Sequence, residues 1–88
     1  MKPTEKDKKE AIEKLNILLK ELPAYNAFGD DNHSGIKAQI ELIEKGGGYD
    51  ALVRKYGLTD MAESDFYTCS EWLKGNESKD NYFETLEL

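Results

Sequence analysis

The sequence predicts an all-α fold, a small single-domain bundle of about four helices with an acidic C-terminal tail. Three observations predict it. Apolar residues recur at three- and four-residue spacing in successive segments. Glycines and turn-forming clusters separate those segments. No alternation of Val, Ile or Thr marks a strand. The chain has 88 residues, 39% apolar and 34% charged. That length gives one domain with a thin core, since such a chain buries only about 60% of its unfolded surface.

The helices are expected at residues 4–22, 33–45, 49–56 and 60–74. In the first, Thr4 can cap with Asp7 three positions on. Ile12, Leu15, Leu18, Leu19 and Leu22 form its apolar stripe with Ala11, and Pro23 stops it. Residues 23–32 are a connector in which Tyr25 and Phe28 are expected to fold down over the core, because large aromatics favour a dry surface. Ile36, Ile40 and Ile43 set the face of the second helix, widened by Ala38 and Leu42, and Gly46-Gly47-Gly48 ends it. Leu52, Val53 and Tyr56 face inward on the short third helix, which Gly57 stops. Asp60 and Glu63 form a possible capping box for the fourth, whose apolar face is Ala62, Phe66, Cys69, Trp72 and Leu73. The domain is thus expected at 1–75. Residues 76–88 are expected as an acidic, partly ordered tail, with Tyr82, Phe83, Leu86 and Leu88 able to tack it to the body.

Charge is unevenly placed. Residues 1–20 carry six lysines and four acids, whereas residues 60–88 carry two lysines and eight acids, within a total of -6. The acidic C-terminal third disfavours phosphate backbones and favours a basic partner. Cys69 is the only cysteine, so no intramolecular disulfide forms. The charged start "MKPTEKDKKE" has no apolar segment of signal-peptide type, and no apolar run is long enough to span a membrane. A cytoplasmic location without membrane contact is expected.

One stretch has the spacing of a ligand site. From Asp30 the chain reads D-x-N-x-S-G, with Glu41 at the twelfth position. Asp30, Asn32, Ser34, the Ile36 carbonyl and Glu41 would be the oxygens of an EF-hand-like calcium loop. Several features oppose it. Lys37 stands where such loops place an apolar residue, Pro23 and Gly29 interrupt the incoming helix, and only two carboxylates would bind directly. The stretch 76–87 lacks the first Asp and the glycine needed for a partner loop. The isoleucine phase also begins inside the supposed loop. The favoured reading is a helix cap: Gly29 turns the chain, Asp30 to Asn32 start the helix and Phe28 seals the corner.

Other constellations are weaker. Residues 51–73 have the outline of a helix-turn-helix, but the second helix carries Asp60, Glu63, Asp65 and Glu71, the wrong sign for DNA. Cys69 falls on an apolar face, where a thiol is inert, and His33 reads as solvated or capping. Asp30, Asp31 and His33 are contiguous, and contiguous ligands need a second segment to enclose a metal. No nucleophile has a base beside it, so no enzyme and no cofactor is expected, calcium being the alternative.

Pro23-Ala24-Tyr25, Phe28-Gly29-Asp30-Asp31-Asn32, Ile36-Lys37-Ala38-Gln39-Ile40 and Trp72-Leu73-Lys74-Gly75 together resemble a set of small uncharacterised bacterial proteins with that pattern. The resemblance brings no activity. It implies that the Gly-Asp-Asp-Asn segment is an element of the fold, and the glycine triplet departs from the pattern.

The function expected is a non-enzymatic acidic helical module that binds a protein with a basic surface. The expected contacts are Glu63, Asp65, Glu71, Trp72, Asp80, Tyr82, Phe83 and Glu84. A phage or mobile-element inhibitor that mimics DNA on a basic nucleic-acid-binding surface is the alternative, followed by the single calcium site. Oligomeric state is left open.

Overall fold

In the computed structural model, which describes residues 1–87, Thr4 opens the first helix with a capping box. Its hydroxyl accepts from the Asp7 N–H at 3.1 Å, and the Asp7 carboxylate accepts from the Thr4 N–H at 3.4 Å. Helix α1 (Glu5–Glu21) ends one residue before Leu22, whose extended backbone leads into Pro23. Helices α2 (Ser34–Lys45), α3 (Tyr49–Tyr56), α4 (Asp60–Lys74) and α5 (Lys79–Glu84) follow. Among the described residues there is no strand, only an isolated antiparallel bridge between Tyr25 and Asp31. The all-α architecture is therefore as the periodicity requires.

Helix α2 is the centre. It packs against α1, α3 and α4, and α5 lies on α4. One core cluster joins Ala11, Leu15 and Leu18 of α1 to Ile36 and Ile43 of α2, and to Cys69, Trp72, Tyr82 and Leu86. A second gathers Ala38, Leu52, Leu58 and Phe66 beneath α3. The isoleucine phase of α2 serves both clusters because Ile36 and Ile43 turn to one side and Ala38 to the other. Gly35 sits where α2 meets α4. A Cβ there would lie 3.1 Å from the Ala62 Cβ, so the glycine permits close helix crossing rather than a calcium-loop turn.

Two boundaries differ from expectation. Asp60 does not cap α4. Thr59 occupies the cap position without a side-chain bond, and Asp60 itself has φ +51, a left-handed conformation that costs a non-glycine residue energy. The segment after Gly75, expected as a partly ordered tail, contains a short helix, α5. Ser78 caps α5 by accepting from the Asn81 N–H at 3.1 Å. Tyr82 is fully buried and stacks on Trp72 with ring centroids 4.8 Å apart. Lys79 reaches Asp7 at 3.1 Å and Glu10 at 3.0 Å, which ties α5 to α1. A division at residue 75 thus cuts through the core. The expected contribution of Leu88 lies outside the described residues. The radius of gyration, 12.3 Å, is that of a packed chain of this length.

Candidate functional site

The connector between α1 and α2 is held by its own hydrogen bonds, and one side chain organises it. The Asn26 amide oxygen accepts from the N–H groups of Phe28 at 2.8 Å and Asp30 at 3.0 Å. Its NH2 group donates to the Asp30 carboxylate at 3.2 Å. The Asn26 and Gly29 N–H groups donate to the carbonyls of Asp30 and Asn26. The result is a β-turn over 26–29 closed around its own amide, with Gly29 at φ +84.

The base of the loop is fixed as firmly. Asn32 donates from its backbone to the Ala24 carbonyl at 2.9 Å, and from its side chain to the Pro23 carbonyl at 3.0 Å. His33 Nε2 lies 2.7 Å from the Leu22 carbonyl, which can only accept, so this nitrogen carries the proton. The Asp31 carboxylate accepts from the N–H groups of His33 at 2.8 Å and Ser34 at 3.0 Å, and from the Ser34 hydroxyl. These bonds, the Ser34 hydroxyl foremost, hold the Asp31 carboxyl below the usual carboxylate range. His33 holds the N-cap position of α2 without a side-chain cap bond, and Asp31, two residues earlier, accepts from the first N–H groups instead, while Asp30 braces the turn.

This arrangement corrects the calcium reading. Ser34, Ile36 and Glu41 lie in a continuous helix, where seven residues advance roughly 10 Å. They cannot surround one ion with Asp30 and Asn32. Glu41 has other partners, the Lys55 ammonium and the Tyr56 hydroxyl, each at 2.7 Å. Lys55 first, then Tyr56, holds the Glu41 carboxyl below its ordinary value. Among the described residues no three His, Cys, Asp or Glu side chains gather as a metal site.

Phe28 is the second correction. It does not seal a corner but stands 91% exposed, with Tyr25 at 64%. The cause is local: the Asn26 amide fills the inside of the turn, so Phe28 has no interior to enter. Met61, at the start of α4, is 78% exposed. It shares a shallow cavity of about 320 Å³ with Asp30, Asp31 and Asp60. A second cavity beside Met61 holds Asp65, whose carboxyl burial pushes upward. Exposed apolar side chains and acidic groups therefore share one end of the bundle, at the N-terminal ends of α2 and α4.

The contacts expected in the C-terminal third do not form one patch. Trp72 is 2% exposed and Tyr82 not at all, so both are core residues. Phe83 is half-buried against Trp72, with the Lys14 and Lys79 ammonium groups 5.6 and 5.3 Å from its ring centre. Glu71 pairs with Lys74 at 3.5 Å and accepts from the Tyr67 hydroxyl. Glu63 and Asp65 are half-buried near the start of α4, and Asp80 and Glu84 are exposed on α5. Cys69 is buried, and burial pushes its thiol up to about 12. Sequence reasoning missed Phe28 and Met61 as exposed groups. The signal for Phe28 was present: Asn at the first and Gly at the fourth position of "NAFG" is β-turn chemistry, and turn tips point outward.

No protein-family model, no curated protein and no solved structure matches the chain. No described helix is long and apolar enough to cross a membrane.

Proposed function

We propose that this chain is a non-enzymatic protein-interaction module that seats Phe28 in an apolar pocket of a protein with a basic rim. The observation that carries the reading is an aromatic side chain 91% exposed on a loop held by its own hydrogen bonds. An anchor already ordered before binding loses little freedom on docking, and buried aromatic anchors dominate interface energetics. Tyr25 on the same connector and Met61 at the start of α4 are further exposed apolar side chains. Asp30, Asp60 and Asp65 beside them, with the overall charge of -6, favour a partner of opposite sign. A protein whose basic surface normally holds nucleic acid meets the same requirement.

The test compares the full chain with Phe28→Ala as affinity baits, followed by reconstitution with the purified partner. A partner kept by the native chain, lost tenfold or more with Phe28→Ala, and weakened by high salt supports the reading. Its contacts must map by NMR to residues 25–31 and 60–65. Equal binding by the variant, or binding indifferent to salt, overturns it. Displacement by duplex DNA identifies a partner of the nucleic-acid-binding kind.

A further inference from the structure

A larger cavity lies at the other ends of α2 and α4, away from Phe28. It is open on one side and measures about 670 Å³, within the roughly 300–1,000 Å³ of small-molecule sites. Its walls are apolar: Leu42 and Ile43 of α2, Leu73 of α4, and the Tyr49 ring. Its charged lining is Lys2, Lys8 and Lys74, with no carboxylate, in a chain whose acids outnumber its bases by 18 to 12.

A further polar group faces this space. Ser70 is 6% exposed and lines the cavity. Its hydroxyl has no hydrogen-bond partner among the described residues, yet it is not among the sealed orphan groups, of which there are none. The hydroxyl therefore opens on the cavity, where a ligand oxygen can meet it. Gly46 and Gly47 edge the same space, and α3 begins beside them at Tyr49, with Gly48 in the cap position and no side-chain cap bond.

Charge decides the sign of the ligand. The C-terminal ends of α2 and α4 each contribute about half a negative charge, and three lysines outweigh both. Lys8 and Lys74 each face one acid of their own helix, at 3.6 Å to Glu5 and 3.5 Å to Glu71. Those contacts are long and each has one solvent-exposed partner, so each contributes little. Lys2 makes no ion pair among the described residues.

We infer that this cavity binds a small amphipathic anion, an aliphatic body lying on Leu42, Ile43 and Leu73 with a carboxylate or phosphate head held by Lys2, Lys8 and Lys74. The apolar wall accounts for the body, and the lysines with the Ser70 hydroxyl account for the head. The site shares no residue with the proposed Phe28 surface, so either can fail alone.

The test is an NMR titration of the full chain with octyl phosphate, octanoate, octanol and inorganic phosphate, each kept below aggregation. Octyl phosphate or octanoate is expected to shift the amide signals of Gly46, Gly47 and Ser70 at millimolar concentration or below. The stronger of the two names the head group. Octanol and inorganic phosphate are expected to bind at least tenfold more weakly. A triple variant, Lys2→Gln with Lys8→Gln and Lys74→Gln, is expected to lose tenfold or more in anion affinity while keeping its far-UV circular dichroism. Octanol binding as well as the anions, the triple variant binding unchanged, or no shift at those three amides overturns the inference.

Discussion

The Tyr82 hydroxyl donates a 2.7 Å hydrogen bond to the Gln39 side-chain oxygen, joining the last helix to the central one inside the core. Both residues are buried, so each is the other's substitute for water. Tyr82→Phe leaves the Gln39 oxygen without a donor and is expected to cost about 1–3 kcal/mol. Gln39→Leu leaves the hydroxyl without an acceptor and has a similar expected cost. The double variant should lose less than the sum by about 1 kcal/mol. Urea unfolding followed by Trp72 fluorescence measures all three. Strict additivity would show that the pair is not coupled.

Because α5 covers Trp72 and Cys69, truncation after Gly75 is expected to uncover the core rather than trim a tail. In the full chain the Cys69 thiol is protonated and buried, so it should react with a disulfide reagent at pH 8 only as fast as the protein opens. The shortened chain should label at least tenfold faster, with red-shifted Trp72 emission. Equal labelling of the two chains would contradict this account of α5.

Acid should weaken the fold through particular carboxylates. The Lys79 hydrogen bond first, then Thr4, holds Asp7 below its usual value of 3.8. Asp31, Glu41 and Glu77 are lowered as well. Each binds fewer protons folded than unfolded. Their contribution is therefore complete above roughly pH 5 and is lost as pH falls through the folded values. Asp65 has the opposite sign. Burial raises its value, so its charge opposes folding at neutral pH, and that cost fades as pH falls through the raised value. Asp65→Asn is expected to raise Tm at pH 7 and to leave it unchanged at pH 3. A Tm gain of equal size at both would show that its charge is not the cause.

At the loop, stability and presentation should separate. Phe28→Ala removes an exposed side chain and is expected to change stability by less than about 0.5 kcal/mol. Asn26→Ala removes the turn's central amide, at a cost of about 1 kcal/mol. The amide protons of Phe28 and Asp30 should then exchange faster than in the native chain. Unchanged exchange would mean that the backbone alone holds the turn.

Gly35→Val tests the crossing of α2 and α4. The nearest obstacle is the Cβ and backbone of Ala62, which cannot rotate away as a long side chain could. The expected loss is about 1–3 kcal/mol by overpacking, read from thermal unfolding. A gain, by helix propensity alone, would place the helices further apart than described.

The four longer helices were legible because each has an apolar stripe, and a stripe needs no knowledge of its partner. Helix α5 was not. It has six residues, too few to show a period, and its place depends on Tyr82 meeting Trp72 and Gln39, a contact between segments distant in the chain. At the candidate site the sequence held both the calcium spacing and the cap. The helical phase of Ile36 favours the helix start, where His33 holds the cap position and the Asp31 carboxylate accepts from the first N–H groups. Gly35 lent the calcium alternative its support because a glycine needed for helix approach and one needed for a loop turn look alike in sequence. Phe28 misled because its size argued for burial, whereas the neighbouring Asn26 had already filled the turn.

Asn26 also marks where the molecule should age. Hydrolysis of its amide would replace a donor by a second carboxylate, with the Asp30 oxygen only 3.2 Å away. Two such charges resist each other at that distance, so the turn must take up a proton or open. Long-stored protein would then lose the shape that displays Phe28, along with the roughly 1 kcal/mol that the amide's hydrogen bonds contribute. A charge-based separation would detect the damage directly, as one added negative charge.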